Sequence, residues 1–402
     1  MSEAMEAVKL TDNVYWVGAV DWGVRDFHGY QTYRGTTYNA YLVMADQPTL
    51  IDTVKHPFAS QMMARIRSVI DPAKIEIIIS NHSEPDHSGA LGYAIERIRP
   101  SKVLASKMGQ RALKAYYGLE VEAVANGSEI DLGGATIMFM ETRMLHWPDS
   151  MVSYLKEQKL LFSQDGFGMH LASAQRFADE IPRWVLQEEA AKYFANILLP
   201  FAPRVTNLLK TINDSGLEID IIAPDHGPIY RTAQDITWIL EAWGRWALQE
   251  PTLKAVITYD TMWHSTHHMA EAIAEGINAA GAEPVLMPLG SCHRSDVATQ
   301  ILTAGALVVG SPTMNNNLFP TVADTLTYLK GLRPANLVGA TFGSYGWSGE
   351  APKIAAGILE EMKVRLVADP LRVLYRPGPE ELMACRTMGQ AVANALKEEA
   401  KP

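Results

Sequence analysis

The sequence predicts a two-domain protein of mixed α/β and α+β class: an αββα sandwich over residues 1–250, then a doubly wound parallel sheet over residues 251–402. Three observations carry this expectation. A chain of 402 residues exceeds what one hydrophobic core usually serves. Up to about Trp243, short strands, hairpins and helices intermix, which suits two packed sheets with helices outside. Beyond the polar joint Gln249-Glu250-Pro251-Thr252 the rhythm becomes strictly strand–helix–strand, which implies parallel strands with right-handed crossovers.

In the first part, Val14–Val17, Tyr38–Val43 and Leu50–Thr53 read as strands. Phe58–Ile70 is an amphipathic helix whose core face is Met62, Met63, Ile66, Val69 and Ile70; the methionines are core filling. The β-branched run Ile75–Ile79 is a buried strand that delivers a ligand-rich turn, after which Gly89–Ile98 reads as helix, Val103–Ala105 as strand and Met108–Tyr117 as helix. Ala135–Met140 and Val152–Phe162 supply the later strands. In the second part, strands Ala255–Thr258, Pro284–Met287, Ala306–Gly310 and Leu337–Thr341 alternate with helices Ser265–Ala280, Ser295–Thr303, Val322–Leu329 and Lys353–Met362, and Met388–Glu399 closes the chain. There is no internal repeat and no low-complexity segment.

Composition excludes several classes. Hydrophobic residues at 48% and charged residues at 20% are ordinary for a globular protein. A net charge of -10 argues against nucleic acid or an anionic membrane as partner. Two cysteines, Cys292 and Cys385, are too few for a disulfide framework or a thiolate-ligated iron centre, so a reduced cytoplasm is expected. The stretch MSEAMEAVKLTDN has no apolar signal region, and no run reaches the length of a membrane span.

The chemistry starts at His82-Ser83-Glu84-Pro85-Asp86-His87-Ser88-Gly89, where four strong metal-ligand side chains fall within six residues. Two histidines and two carboxylates that close would repel and desolvate one another in a compact fold without a cation. Three later stretches each put a His or Asp at a strand end beside Gly or Pro: Leu145-His146-Trp147-Pro148-Asp149, Ser163-Gln164-Asp165-Gly166 and Ala223-Pro224-Asp225-His226-Gly227.

In the second part, three loops follow strand carboxyl ends, where open parallel sheets bind ligands. They contain Thr261-Met262-Trp263-His264-Ser265-Thr266, Pro312-Thr313-Met314-Asn315-Asn316-Asn317 and Gly343-Ser344-Tyr345-Gly346-Trp347-Ser348. The first, at a helix start, suits a phosphate, and the aromatics of the third suit a flat ring. With no G-x-G-x-x-G and no Walker motif, a monophosphate on a planar ring is expected, FMN being the natural candidate. This region resembles a flavodoxin.

The pattern H-x-E-x-D-H, followed by a distant His, Asp and His, resembles the metallo-β-lactamase superfamily, whose zinc enzymes usually carry H-x-H-x-D-H. Glu84 replaces the second His, which hardens the site and favours iron. Joined to a flavodoxin-like domain, the whole chain resembles the flavodiiron proteins. Asp26-Phe27-His28-Gly29-Tyr30, Gly35-Thr36-Thr37-Tyr38-Asn39-Ala40-Tyr41 and Leu145–Ser150 take part in that likeness. The resemblance implies one iron on Glu84, His146 and Asp165, another on Asp86, His87, Asp165 and His226, with Asp165 bridging. His82 matches a position that ligates in some members and turns away in others, and is counted here with the ligands. His28, Tyr30 and Tyr193 match positions near the substrate pocket that donate hydrogen bonds or protons. The remaining histidines read as packing or surface residues.

The resemblance further implies four-electron reduction of O2 to water, two electrons from a diferrous pair and two from reduced FMN, or two-electron reduction of NO to N2O at the same site. It implies a head-to-tail homodimer, with pairing into tetramers left open. Lacking a rubredoxin-like C-x-x-C pair and an NAD-binding domain, the chain would take electrons from a separate carrier, rubredoxin in this family. A zinc hydrolase with a structural flavin and a simple electron carrier on a dead scaffold are the competing readings.

Overall fold

The computed structural model describes residues 5–399; the first four residues and residues 400–402, which fall in the predicted amino-terminal stretch and at the end of the second predicted domain, lie outside. The chain divides into two compact units: Met1–Phe27, Thr32–Tyr193 and Pro203–Gly244 form the first, and His28–Gln31, Phe194–Ala202 and Arg245–Pro402 the second.

The first unit holds two facing sheets. The seven-stranded one runs Val8–Lys9, Val14–Trp16, Tyr41–Val43, Thr49–Ile51, Ile77–Ser80, Lys102–Ser106, Glu122–Val124, and the five-stranded one Glu129–Asp131, Thr136–Glu141, Met151–Leu155, Leu160–Gln164, Ile221–Pro224. The period of two along each strand sorts the side chains. Tyr41, Ile51, Ile77, Ile79 and Leu104 face Ile137, Phe139, Leu155, Phe162 and Ala223 between the sheets. The alternate residues Leu42, Leu50 and Ile78 face Met62, Met63 and Ile66 of the helix Ala59–Arg67 and Leu91, Ala94 and Ile98 of the helix Leu91–Ile98. Met62, Met63 and Ile66 of the predicted face are therefore packed, while Val69 and Ile70 lie beyond the helix end at Arg67 and pack only partly.

Several elements depart from the reading of the sequence. Tyr38–Val43 is not one strand: Thr36–Tyr38 pairs with Ala19–Asp21, and Tyr41–Val43 belongs to the large sheet. The break is at Asn39, whose buried side chain donates to the carbonyls of Pro224 (2.6 Å) and Gly227 (3.0 Å) and accepts from Trp16 Nε1 (2.8 Å). Val152–Phe162 is likewise two strands, Met151–Leu155 and Leu160–Gln164, turned at Lys159 with φ 49°. The helices Arg183–Tyr193, Ala202–Ser215 and Ala233–Leu248 were not assigned from sequence; the first has its apolar residues spread round the axis instead of on one stripe.

The second unit has one parallel sheet in the order Glu283–Pro288, Lys254–Tyr259, Ala306–Gly310, Val338–Tyr345, Arg365–Leu366, with Leu371–Leu374 also pairing with Val338–Tyr345. Ala255, Ile257, Val308 and Ala340 pack on one face against Met269, Ile273 and Ile277 of the helix Ser265–Ala279 and Met388, Val392 and Leu396 of the helix Pro379–Glu399. That last helix starts nine residues before the sequence reading put it, with Pro379 at its first position and Glu380 and Glu381 in its first turn, a favourable start. Gly343, Ser344 and Tyr345, read as loop, are the end of the strand Val338–Tyr345. Among the described residues no helix is long and apolar enough to cross a membrane.

Candidate metal centre and cofactor loops

Four strand ends of the first unit deliver the candidate ligands. His82, Glu84, Asp86 and His87 follow Ile77–Ser80, with Asp86 and His87 in the one-turn helix Pro85–Ser88; His146 lies in the loop after Thr136–Glu141, Asp165 follows Leu160–Gln164, and His226 follows Ile221–Pro224. Buried polar braces hold these ends in register. Asp52 accepts from Asn81 N (2.6 Å) and Asn81 Nδ2 (2.8 Å), while Asn81 Oδ1 accepts from Ser153 Oγ (2.6 Å), tying the start of the His82 segment to the second sheet.

The seven side chains converge as two groups on one carboxylate. Asp165 Oδ2 lies 3.3 Å from His82 Nε2 and 3.2 Å from His146 Nε2, and Glu84 Oε2 lies 3.2 and 3.0 Å from the same two nitrogens. Asp165 Oδ1 lies 3.3 Å from His87 Nε2 and 3.5 Å from His226 Nε2, and Asp86 Oδ2 lies 3.4 and 3.1 Å from that pair. Both oxygens of Asp86 and Asp165 and both ring nitrogens of His87 are buried without a well-aligned hydrogen bond. Side chains this close, this buried and this poorly hydrogen-bonded suit cations shared through Asp165. The donor set, imidazole plus carboxylate with no thiolate, fits a pair of iron ions.

Electrostatics point the same way. Burial disfavours the His82 cation, but Asp149, Glu84 and Asp165 outweigh it and raise the ring's pKa well above the usual value. Burial likewise opposes charge on His87, yet Asp86, Asp165 and Asp225 lift it to about 10. Burial alone would raise Asp165; the surrounding histidines hold it well below the carboxylate range.

Other residues at the site were not singled out from sequence. Asp149 Oδ2 lies 3.1 Å from His82 Nδ1, and Asp225 Oδ2 lies 3.4 Å from His87 Nδ1. His226 Nδ1 is 2.6 Å from the Thr37 carbonyl oxygen. Such groups behind a ligand's second nitrogen set its tautomer and aim. The signal was present, since Asp149 and Asp225 sit in the same short motifs as His146 and His226. His170, read as a packing residue, is buried with its ring 4.4 Å from that of His226 and its Nδ1 2.7 Å from Thr36 Oγ1. Tyr193 ends its helix just before the π-helical turn Phe194–Leu198, its ring 5.1 Å from His170 and 6.2 Å from His226. His28 and Tyr30 belong to the segment grouped with the second unit, where the Gly29 carbonyl accepts from Arg294 Nη2 (3.0 Å) and Gln31 N donates to Ser295 Oγ (3.3 Å).

In the second unit the predicted loops lie beyond the carboxyl ends of adjacent strands. The helix Ser265–Ala279 starts from His264 at φ 64° with no side-chain cap, which leaves the first N–H groups for a ligand; Ser265 and Thr266 are within the helix, not capping it. Thr261 Oγ1 is buried with no hydrogen-bond partner among the described residues, a second unsatisfied donor at this spot. Thr266 Oγ1 lies 3.2 Å from Ser344 Oγ, and Thr313 N donates to the Ser344 carbonyl (2.9 Å), so all three loops meet. Pro312 precedes Thr313, and Met314 and Asn317 exchange backbone bonds of 3.0 Å around Asn315 and Asn316, both with positive φ, a tight turn. Met262, Trp263 (88% exposed) and Trp347 (86% exposed, between Gly346 and Ser348) rim the loops with apolar surface. A phosphate at the helix start and a flat ring between aromatics fit this cradle.

Comparison with known proteins covers both units. Residues 36–227 match the ODP family beta lactamase model and residues 257–389 the flavodoxin model. The chain is 44% identical to the rubredoxin-oxygen oxidoreductase of Megalodesulfovibrio gigas over 98% of its own length and 99% of that protein. It is also 44% identical to the nitric oxide reductase of Moorella thermoacetica, over 98% and 100%. It superposes on the crystal structure of the flavodiiron protein from Giardia intestinalis with TM-score 0.95 at 33% identity, covering all of both chains. With a metallo-β-lactamase-like unit, a flavodoxin-like unit and this likeness from end to end, the chain belongs to the flavodiiron proteins and is an oxidoreductase.

Proposed function

We propose that the protein is a cytoplasmic flavodiiron oxidoreductase that reduces O2 to water, with rubredoxin as electron donor, and that it works as a head-to-tail homodimer. The observation that carries the reading is Asp165, whose two oxygens face two separate ligand groups. His82, Glu84 and His146 would hold one iron and Asp86, His87 and His226 the other, with Asp165 between them. Thr261–Thr266, Pro312–Asn317 and Gly343–Ser348 would hold FMN. When bound, the iron pair and the flavin supply the four electrons that O2 requires.

The chain's own residues do the rest. Four carboxylates, Glu84, Asp86, Asp165 and the flanking Asp149, balance the charge of the ions. The acceptors behind His82 and His226 keep each Nε2 directed inward, and Asp225 Oδ2 lies 3.4 Å behind His87 Nδ1. Tyr193, whose ring lies 5.1 Å from that of His170 and 6.2 Å from that of His226, is proposed as a hydrogen-bond donor toward a bound substrate, and His28 and Tyr30 are proposed for the same role. Glu84 and the flavodoxin-like loops weigh against a zinc hydrolase, and the complete ligand set weighs against a simple electron carrier.

Reduction of NO to N2O is the second reading, favoured by the equal identity to a nitric oxide reductase. The test is anaerobic purification with metal and flavin analysis, then O2 and NO consumption with NADH, a rubredoxin reductase and rubredoxin. Two irons and one FMN per chain, with O2 consumed faster than NO and slow turnover without rubredoxin, are expected. Zinc in place of iron, or rapid direct NADH oxidation, would overturn the proposal.

A further inference from the structure

We propose that Glu350 is a positioning residue of the cofactor cradle: it ties the loop Pro312–Asn317 to the loop Gly343–Ser348, and its negative charge holds down the reduction potential of the bound flavin. The inference rests on the assignment of these loops to FMN. It goes beyond that assignment by naming a residue that sets both the fit of the ring and its potential.

Glu350 stands immediately before the helix Ala351–Glu361, where a side-chain oxygen commonly accepts from the first N–H groups of the helix. Its carboxylate makes no such bond and turns back to the preceding loop, where Glu350 Oε2 accepts from Gly349 N at 2.9 Å. Glu350 Oε1 lies 3.5 Å from Nδ2 of Asn316, in the tight turn of the neighbouring loop. The helix start is held from that loop as well, Ala351 N donating to Thr313 Oγ1 at 3.3 Å. Thr313 N in turn donates to the Ser344 carbonyl at 2.9 Å. The reversal that aims Glu350 depends on Gly349, at φ 124°, where a Cβ would lie 3.0 Å from Tyr345 Cδ1. Glu350 thus closes a ring of contacts around the two loops that would flank the flavin.

The carboxylate is also charged. The Ser348 hydroxyl and the Gly349 N–H hold its pKa below the usual carboxylate value, while Arg372 contributes less than either bond and forms no ion pair with it. A flavin reduced by two electrons at neutral pH takes up one proton, so the ring gains one negative charge; rubredoxin delivers the electrons and water the proton. A fixed carboxylate on the loops that flank the ring opposes that gain. Solvent reaches Glu350, so the opposition is modest and weakens with salt.

The test compares the full-length wild type with E350A, E350Q and E350D. FMN is stripped and titrated back, its fluorescence reporting the dissociation constant, and the midpoint potential is read from flavin absorbance by spectroelectrochemistry. E350A loses acceptor and charge together and is expected to bind oxidised FMN about 3–10-fold more weakly. E350Q keeps an oxygen for Gly349 N and should stay within about threefold of wild type in affinity. Its flavin should become about 5–10-fold easier to reduce, a rise of about 20–30 mV for a two-electron couple. The rise should shrink at high salt and be absent in E350D, which retains the charge. An unchanged potential in E350Q, or wild-type FMN affinity in E350A, overturns the proposal. If E350A fails to fold, the potential of E350Q decides alone. Failure of the wild type to bind FMN would instead defeat the assignment of the loops, before any variant is compared.

Discussion

Asp165 connects more of the site than any other residue, since each carboxylate oxygen serves a different group of ligands. Asp165→Asn keeps the shape but removes the charge both groups share, and should lower bound iron below one ion per chain and O2 consumption by more than about 100-fold; elemental analysis and an oxygen electrode check it. Glu84→His restores the pattern of zinc enzymes. Its expected outcome is a rise in the zinc-to-iron ratio of protein expressed in mixed-metal medium, and an unchanged ratio would show that Glu84 does not set the preference. At this scale the sequence was highly legible: ligand-type side chains are rare enough in one six-residue turn that spacing alone flagged them. Asp149 and Asp225 share the short motifs of His146 and His226, but their role was not legible, because a carboxylate that orients a ligand looks in sequence like any acidic residue beside a turn.

At the level of elements, the site depends on where strands stop. Asn39 ends one strand and, by bonding the carbonyls of Pro224 and Gly227, fixes the strand end that carries His226. Asn39→Ala would leave buried Trp16 Nε1 without its acceptor and the carbonyls of Pro224 and Gly227 with only Tyr41 Oη and Thr37 Oγ1 as donors, and should cost about 1–3 kcal/mol of stability, read from chemical denaturation of the iron-free protein. In the second unit, Gly343 lies so close to the Ser311 carbonyl that any Cβ would collide with it. Gly343→Ala should separate the two strand ends that carry the cofactor loops, with FMN lost on gel filtration and the unit destabilised by about 3 kcal/mol. Alternation of apolar residues identified most strands here, and the strict strand–helix rhythm identified the second sheet. The break at Asn39 and the helix Arg183–Tyr193 escaped it, the first because a buried polar contact from far along the chain ends the strand, the second because that helix is apolar on more than one side.

For the whole molecule, metal and protons are linked to stability. A metal that binds only the folded chain stabilises it by about 2.7 kcal/mol at a hundredfold excess over its dissociation constant, so stripping the iron should lower the first melting transition by roughly 5–10 °C, reversed by ferrous iron. Glu189 gives a pH signature: burial outweighs Lys192 and Arg34 and raises its carboxyl to about 7 from 4.5. The folded state then holds a proton that the unfolded state releases, so this group's contribution is full below about pH 4.5 and is lost as pH rises through 7. Wild type should lose roughly 2 kcal/mol between pH 5 and 8, and Glu189→Gln should flatten that change in urea titrations at the two pH values. The sequence by itself determined the two sheet systems, the ligand types and the loops at strand ends, because those depend on local periodicity and on side-chain chemistry. The resemblance already implied that Asp165 bridges and that His82 belongs with the ligands; only the tertiary structure supplied the distances that bring both groups onto Asp165 and the place of Asp149 behind His82. Those facts are distances between residues far apart in the chain, set by how the strands of two sheets stack, and no local pattern encodes them.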